Sequence, residues 1–263
     1  MIRRVTEKEI PKTLFKYRSW GNSYHQKLLT DRTIYFAKPS EFNDPFDGNI
    51  PIRWDLLTYE DCVKKNMELI NIQHKDKDQK AVYEYAKKVT DDKTLWHPEK
   101  LAKERPEQLE KWNKIIGLVS LSETPSNILM WSHYADNHKG FVVGFDTEQL
   151  TTEYDIDYIE AINYQKSYPL IDGFDDTTIQ FYKKFFHKSD LWSYEKEWRL
   201  SKNHIDNRIL KLDKSVVTEV ILGCMATEET KSNISSIIST QYNNKVKLSQ
   251  ATKSDDDFRI IIN

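Results

Sequence analysis

Two carboxylates separated by one residue, Glu195 and Glu197, are the feature of this sequence that points most directly to chemistry. Apolar and polar residues alternate over 194–200, which predicts a strand whose period of two places both carboxylates on one face, roughly 6–7 Å apart at Cα. Two like charges this close raise one pKa unless a cation, a metal or a substrate shares the site. The alternative interpretation is a surface strand whose polar face also carries Arg199.

A second candidate is Arg18, which ends a predicted strand over 14–18. A guanidinium at a strand end can hold a phosphate or pyrophosphate through two parallel hydrogen bonds. The alternative role for Arg18 is a structural salt bridge on the surface.

The segment 130–140 holds a third set of candidates. Trp131 and Tyr134 lie three residues apart in a predicted short helix over 127–136, so they share one helix face. His133 titrates in the range that suits a general base, and it could also contact a nucleobase, whereas a packed core histidine is the alternative. His138 follows five residues later, which is poor spacing for two zinc ligands on one helix.

Two further segments carry charge that needs an interpretation. Asp44 and Asp47 lie in a breaker-rich loop over 38–48, where turn capping is the favoured role. The basic and aromatic run 182–188 could touch a nucleic-acid backbone, and an amphipathic helix with a solvated lysine face explains it equally well.

The elements that must position these residues alternate between sheet and helix. Strands are predicted over 14–18, 33–37, 115–122, 140–145, 194–200, 216–222, 246–248 and 258–262, and helices over 23–29, 127–136, 177–189 and from Thr227 onward. The pattern predicts a single α+β domain over 1–263 with a mixed, mainly antiparallel sheet. Residues 55–114 are dense in charge and carry apolar stripes at helical spacing, which predicts a helical insertion or subdomain.

Composition excludes several classes of protein. The 263 residues carry 39 Lys+Arg against 41 Asp+Glu, which removes the basic footprint of a dedicated nucleic-acid binder. No apolar stretch is long enough for a membrane span, and the first residues do not resemble a secretory signal. Two cysteines are too few for a disulfide framework or a zinc cluster, so we expect a cytoplasmic protein with no metal. Phosphate-binding glycine motifs are missing.

Five blocks of the sequence together resemble a widespread bacterial family, domain of unknown function 2971. The blocks are 15–18, 34–47, 130–135, 138–141 and 194–199, and they are spread over most of the chain. The family name implies no activity.

The order of elements also resembles the ADP-ribosyltransferase fold, in which enzymes split NAD. The resemblance implies that Arg18 anchors the dinucleotide, that Tyr35 or Ser40 lines the nicotinamide pocket, and that Glu197 is catalytic. Glu195 would orient or deprotonate the acceptor. The Ser-Thr-Ser block of that fold is replaced here by Ile-Tyr-Phe-Ala-Lys over 34–38.

Four more residues complete this hypothesis. His133 is expected to take part in catalysis, while Tyr17, Trp131 and Tyr134 are expected to line the cofactor site. Glu219 rivals Glu197 as the catalytic carboxylate, because late strands of that fold often open with Glu followed by aliphatic residues.

The leading functional hypothesis is therefore an ADP-ribosyltransferase-like enzyme that uses NAD, modifies a protein or a nucleic acid, and acts as a toxin or in phage defence. A fixed carboxylate would stabilise the positive charge that develops on the ribose as nicotinamide leaves. One alternative is a metal-dependent nuclease built on Asp44, Asp47, Glu195 and Glu197. The other is a non-catalytic binding module with Trp131, Tyr134 and Trp198 as an aromatic recognition surface.

Overall fold

The computed structural model describes residues 7–74, 77–103, 105–242 and 245–263. The strands are β1 (Thr13–Arg18), β2 (Thr33–Tyr35), β3 (Ile116–Ser122), β4 (Phe141–Asp146), β5 (Tyr158–Ala161), β6 (Asn163–Gln165), β7 (His187–Ser189), β8 (Glu197–Asn203), β9 (Ile209–Lys211), β10 (Val217–Leu222), β11 (Lys247–Lys253) and β12 (Ile260–Ile262). The buried strands β3 and β4 are rich in apolar residues, as strands covered on both faces require, whereas β8 buries Glu197 and Arg199 as well as Trp198 and Leu200.

Helices of the described residues surround these strands. They are α1 (Ser23–Thr30), α2 (Tyr59–Gln73), α3 (Gln79–Asp91), α4 (Pro98–Lys103), α5 (Arg105–Ile115), α6 (Ile128–Tyr134), α7 (Thr147–Thr152), α8 (Thr177–Phe185) and α9 (Glu228–Gln241). Side-chain caps begin several of them: Asn22 for α1, Thr58 for α2 and Asn127 for α6 each accept a backbone N–H of the first turn. None of these helices is both long and apolar enough to cross a membrane.

The main sheet has eight strands in the order β12-β11-β10-β4-β1-β3-β8-β5. Its neighbours run antiparallel except for β10 and β11, which are parallel. The predicted α+β class with a mixed, mainly antiparallel sheet is therefore confirmed. Two small two-stranded sheets, β2 with β9 and β6 with β7, flank it.

Apolar side chains cover both faces of the main sheet. On one face Leu14, Val143 and Leu200 pack with Leu29 of α1 and Ile234 of α9. The opposite face is covered by α6, whose Met130 and Trp131 pack with the strand residues Phe15, Tyr17, Val142 and Ile221 in a second core. Burial on both faces fixes the strand register, because a slip of one residue would exchange the two faces.

The main sheet is split between β1 and β3. The two strands share the single partner pair Phe15 and Ser122, whereas β1 shares six pairs with β4. Farther along β3, the carbonyl of Ser120 accepts a hydrogen bond from Lys16 Nζ at 2.5 Å. Ala37, beyond the end of β2, pairs with Leu118 by two backbone hydrogen bonds. The strands diverge at this point, and a cleft opens between them.

Two of the differences between predicted and observed element boundaries bear on the candidate site residues. The helix predicted over 177–189 ends at Phe185, and the last three residues form β7 instead. The strand predicted over 194–200 begins only at Glu197, because 190–195 form a 3-10 helix and Lys196 follows in the left-handed conformation with φ 45°. The statement that Glu195 and Glu197 share one strand is therefore wrong.

The helices α2 to α5 lie, apart from Ile115, in the segment 55–114 that is predicted to be helical. Val63, Ile70, Val82 and Ala86 form a separate small core between α2 and α3. Whether this segment is an insertion into a single domain stays a prediction.

Candidate functional site: a cleft in the split sheet

The cleft between β1 and β3 has a volume of about 580 Å³. This volume lies in the usual range for small-molecule sites. Most of the residues singled out from the sequence line it: Tyr17, Arg18, Tyr35, His133, Tyr134, Glu195 and Glu197. These residues are up to 180 positions apart in the sequence, and the sheet brings Arg18 and Glu197 together because β1 and β8 both lie next to β3.

Lys16 and Arg18 form the cationic wall of the cleft. Strand period two places both on the same face of β1. Neither forms an ion pair in the part of the chain that the structure describes; Arg18 donates a long hydrogen bond of 3.4 Å to its neighbouring carbonyl. Burial lowers the pKa of Arg18 to about 10, and burial followed by the charge of Arg18 lowers the pKa of Lys16 well below its usual range. Two unpaired cations are costly here and would be stabilised by an anionic ligand.

His25 of α1 lies beside the cationic wall. Its Nδ1 accepts a hydrogen bond from the backbone N–H of Ser19 at 3.3 Å, which leaves Nε2 to carry the proton of the neutral ring. Burial, followed by the charges of Arg18 and Lys16, lowers the pKa of His25 to about 4. The ring is therefore a neutral donor on this wall at pH 7.

The opposite wall is a buried ion cluster of Asp47, Lys188, Glu195, Glu197 and Arg199. Lys188 Nζ lies 2.6 Å from Glu195, 3.3 Å from Glu197 and 3.5 Å from Asp47. Arg199, which is fully buried, holds both oxygens of Asp47 at 2.9 Å. Its Nε lies 2.8 Å from Glu197 Oε1. Three carboxylates face two cations, so the cluster carries one negative charge in excess when all five groups are ionised.

The two glutamates of the cluster differ in their pKa shifts. Desolvation would raise the pKa of Glu197, but the charges of Arg199 and Lys188 outweigh it and lower the pKa to about 2. Burial raises the pKa of Glu195 despite the opposing charge of Lys188, and its Oε1 accepts a 2.6 Å hydrogen bond from the Tyr134 hydroxyl. A carboxylate whose pKa is lowered, Glu197, thus stands next to one whose pKa is raised, Glu195, as in paired carboxylates that divide the roles of charge stabiliser and proton acceptor.

Acid should destabilise the protein through Glu197. The folded pKa lies below the unfolded value of about 4.3, so this group stabilises the fold above that pH and its contribution is lost as the pH falls towards 2. We expect a loss on the order of 3 kcal/mol between pH 5 and pH 2. Urea unfolding at pH 5, 4, 3 and 2 measures it, and Glu197→Gln should have a flatter profile. An unchanged slope in that variant would contradict the assignment.

Other predicted site residues take specific places at the rim. His133 is exposed and its Nδ1 lies 3.0 Å from the Tyr194 hydroxyl. The Tyr35 hydroxyl donates to the carboxylate of Glu41, which also lines the cleft. Tyr17 is 2 % exposed and donates to the carbonyl of Thr124 at 2.7 Å, so its hydroxyl already has a partner within the protein.

Three predicted roles do not fit the geometry. Trp131 is completely buried against Tyr17 and therefore cannot contact a ligand directly. Ser40 is exposed outside the cleft, in a 3-10 helix where its backbone N–H donates to Asn113. Glu219 lies on β10 against Gly144 and does not line the cleft. Trp198 is also fully buried, which removes it from any recognition surface.

The run 182–188 is not a surface patch. The described residues Lys184, His187 and Lys188 are all less than 9 % exposed. The interpretation as a solvated lysine face fails for Lys184 and Lys188 because both amines point inward, Lys184 to the carbonyl of Ile50 and Lys188 to the ion cluster.

Sequence reasoning missed the cations of the cluster. Asp47 and Arg199 are separated by 152 residues, and no local pattern pairs them. The one available signal was the spacing of Glu197 and Arg199, which a strand places on the same face. No group of three or more His, Cys, Asp or Glu side chains within the described residues is arranged to hold a metal ion. Three of the four positions that the nuclease hypothesis assigned to a metal, Asp47, Glu195 and Glu197, surround Lys188 instead.

The model of the family described as "Protein of unknown function (DUF2971)" matches residues 130–200. No curated protein and no solved structure was found to match the chain, so these comparisons lend no support to the ADP-ribosyltransferase resemblance. The matched stretch runs from α6 into β8 and includes His133, Tyr134, Glu195 and Glu197. The resemblance to DUF2971 is thus confirmed over residues 130–200, the part of the chain that supplies one wall of the cleft.

Proposed function

We propose that this protein is an ADP-ribosyltransferase-like enzyme that binds NAD in the cleft, releases nicotinamide and transfers ADP-ribose to a protein or nucleic acid. One observation carries the proposal. An unpaired guanidinium, that of Arg18, and an ionised carboxylate, that of Glu197, line one cleft of about 580 Å³.

The cationic wall supports binding of the pyrophosphate. Arg18 has no carboxylate partner within the described residues, so its fork of donors is free for phosphate oxygens. Lys16 adds a second cation on the same strand face, and His25 adds a neutral N–H. Phosphate oxygens would restore the charge balance that this wall lacks.

The ion cluster supports cleavage of the bond to nicotinamide. The bond between ribose C1′ and the pyridine nitrogen breaks, its electron pair goes to nicotinamide, and positive charge develops on the ribose. The excess negative charge of the cluster would stabilise that charge. Because Arg199 and Lys188 hold Glu197 in place, the carboxylate needs no reorganisation during the reaction.

Glu195 is suited to accept the proton of the acceptor. As the acceptor nucleophile bonds to C1′, its proton would pass to the Glu195 carboxylate, whose pKa burial raises. Tyr134 fixes the orientation of this carboxylate through its 2.6 Å hydrogen bond. His133 at the rim would contact the acceptor.

We also propose a cytoplasmic location and a role as a toxin or in phage defence. Both cysteines, Cys62 and Cys224, are unpaired, which is typical of a reducing compartment.

Incubation with NAD should release nicotinamide, as measured by chromatography, with ADP-ribose in solution or on an acceptor. Glu219→Gln serves as the matched control because Glu219 lies outside the cleft, and it should release nicotinamide at the rate of the unmodified protein. Absence of release at every protein concentration and pH tested would overturn the proposed activity. A loss confined to Glu219→Gln would transfer the catalytic role to that residue.

A further inference from the structure

A second cavity of about 600 Å³ lies on the other side of the ion cluster. It shares Asp47 and Lys188 with the cleft and opens between the loop after β2 and the segment between β6 and α8. Its walls are mainly apolar and aromatic, and they comprise Phe46, Ile50, Tyr168, Pro169, Leu191 and Trp192. Apart from Asp47 and Lys188, the residues that line this cavity take no part in the proposed reaction.

The aromatic rings of this cavity are open to solvent. The Phe46 side chain is 62 % exposed and that of Tyr168 49 %, and beside them the aliphatic Leu191 is 81 % exposed. Trp192 is held in place by Lys188, whose Nζ lies 4.9 Å from the ring centroid. Exposed rings around a concave site are the usual platform for stacking a planar group, since such contacts do not require a particular sequence or charge.

Two polar groups of the cavity lack the partners that their burial requires. Asp44 is 7 % exposed, and in the described chain its carboxylate forms no ion pair and accepts one hydrogen bond, from the backbone N–H of Phe46. The Gln165 Nε2 is buried with no hydrogen-bond partner. The Gln165 amide donor is costly to bury without a partner, and the Asp44 carboxylate can accept more than its one hydrogen bond, so the pair suits a ligand that offers both donors and an acceptor.

We infer that the second cavity binds a guanine base. Guanine presents two N–H donors from N1 and the 2-amino group to a carboxylate, and its O6 accepts from an amide. Adenine lacks that donor pair. An arginine side chain of a protein would also suit Asp44 and the rings, but it offers no acceptor for Gln165. Base binding requires no NAD and stands independently of the proposed reaction.

Calorimetric titration with guanosine 5′-monophosphate and adenosine 5′-monophosphate tests the inference. We expect the guanine nucleotide to bind at least about tenfold more tightly. Asp44→Asn keeps the acceptor for Phe46 but removes the charge, and it should weaken guanine binding by about tenfold or more. Asp255→Asn, an exposed aspartate in the loop between β11 and β12, is the matched control and should bind as the unmodified protein does.

Two further ligands, an oligonucleotide and an arginine peptide, show whether the cavity takes guanine from a free nucleotide or from nucleic acid, or binds an arginine side chain instead. A single-stranded oligonucleotide containing guanine that binds while the free nucleotide does not would assign the site to nucleic acid, and tighter binding of the free nucleotide would assign it to nucleotides. Equal affinity for the two nucleotides, an unaffected Asp44→Asn, or binding of an arginine peptide in place of every guanine ligand would overturn the inference. Because no NAD is present, failure here leaves the nicotinamide assay unaffected.

Discussion

Replacing Arg199 by Met is expected to lower the free energy of unfolding by about 3–5 kcal/mol. The guanidinium is completely buried, holds Asp47 through two 2.9 Å hydrogen bonds and also binds Glu197. Without it, three carboxylates would remain in a buried site with the single cation Lys188. Methionine fills a similar volume, so the decrease in the free energy of unfolding measures the removal of the buried charge and not the creation of a cavity. Urea unfolding at pH 7 measures it.

The matched control is Arg53→Met. Arg53 pairs with Asp55 at 2.7 Å, but both side chains are largely exposed. Exposed pairs contribute at most about 1 kcal/mol, so this variant should unfold almost as the unmodified protein does. Equal losses for the two variants would mean that burial does not set the strength of the cluster, and the account of the wall would be wrong.

Glu197→Gln is expected to reduce the rate of nicotinamide release by roughly 10²–10³-fold, the usual cost of removing one preorganised stabilising group. Glutamine keeps a carbonyl oxygen for Arg199 but removes the negative charge that faces the ribose. KM for NAD should change little, because Arg18 and Lys16 on the other wall bind the phosphates. Steady-state kinetics with a thermal unfolding scan of each variant separates the two effects.

Two results would contradict the role of Glu197. A variant that is folded and turns over NAD at the unmodified rate would remove the residue from catalysis. A variant that loses activity only through a higher KM would show that the carboxylate binds substrate without stabilising the transition state.

Much of the cleft could be predicted because its residues carry local signals. Arg18 ends a short alternating strand, and the 3.6-residue period around Tyr134 predicts a helix face. Period and caps are local properties, so the order of elements and the α+β class follow from them. What placed Arg18 and Glu197 in one cleft was the position of β3 between their strands, which is a property of the whole sheet.

The backbone at Lys196 illustrates why the glutamate pair was misplaced. Apolar and polar residues alternate through 194–200, so the pattern alone predicts one uninterrupted strand. Lys196 instead adopts φ 45°, a conformation that a residue with a side chain adopts at some cost. Lys188 contacts Glu195 at 2.6 Å and Glu197 at 3.3 Å, and these tertiary contacts outweigh the local preference for a strand.

The strand period places Arg199 on the same face as Glu197, but the other contacts of the ion cluster could not be predicted from the sequence. The sequence predicts that loop aspartates such as Asp44 and Asp47 stabilise turns. Asp44 does so, because its carboxylate accepts a hydrogen bond from the backbone N–H of Phe46. No residue of the loop indicates that Asp47 pairs with Arg199, which lies 152 residues away. Likewise, no sequence pattern predicts that the side chain of Lys188 is buried. Pairs of this kind depend on how the sheet and its flanking loops pack, so the structure is needed to find them.

The measurement that bears most directly on the central claim is NAD affinity of the unmodified protein and of Arg18→Gln, by titration calorimetry. An unpaired guanidinium reserved for phosphate predicts that Kd rises about tenfold or more in the variant, while its thermal stability is unchanged or higher because a costly buried charge is gone. Arg259→Gln, an exposed arginine near the end of the chain, should bind NAD normally. Equal affinities for Arg18→Gln and the unmodified protein, or a variant that loses stability as a broken ion pair would, contradict the account.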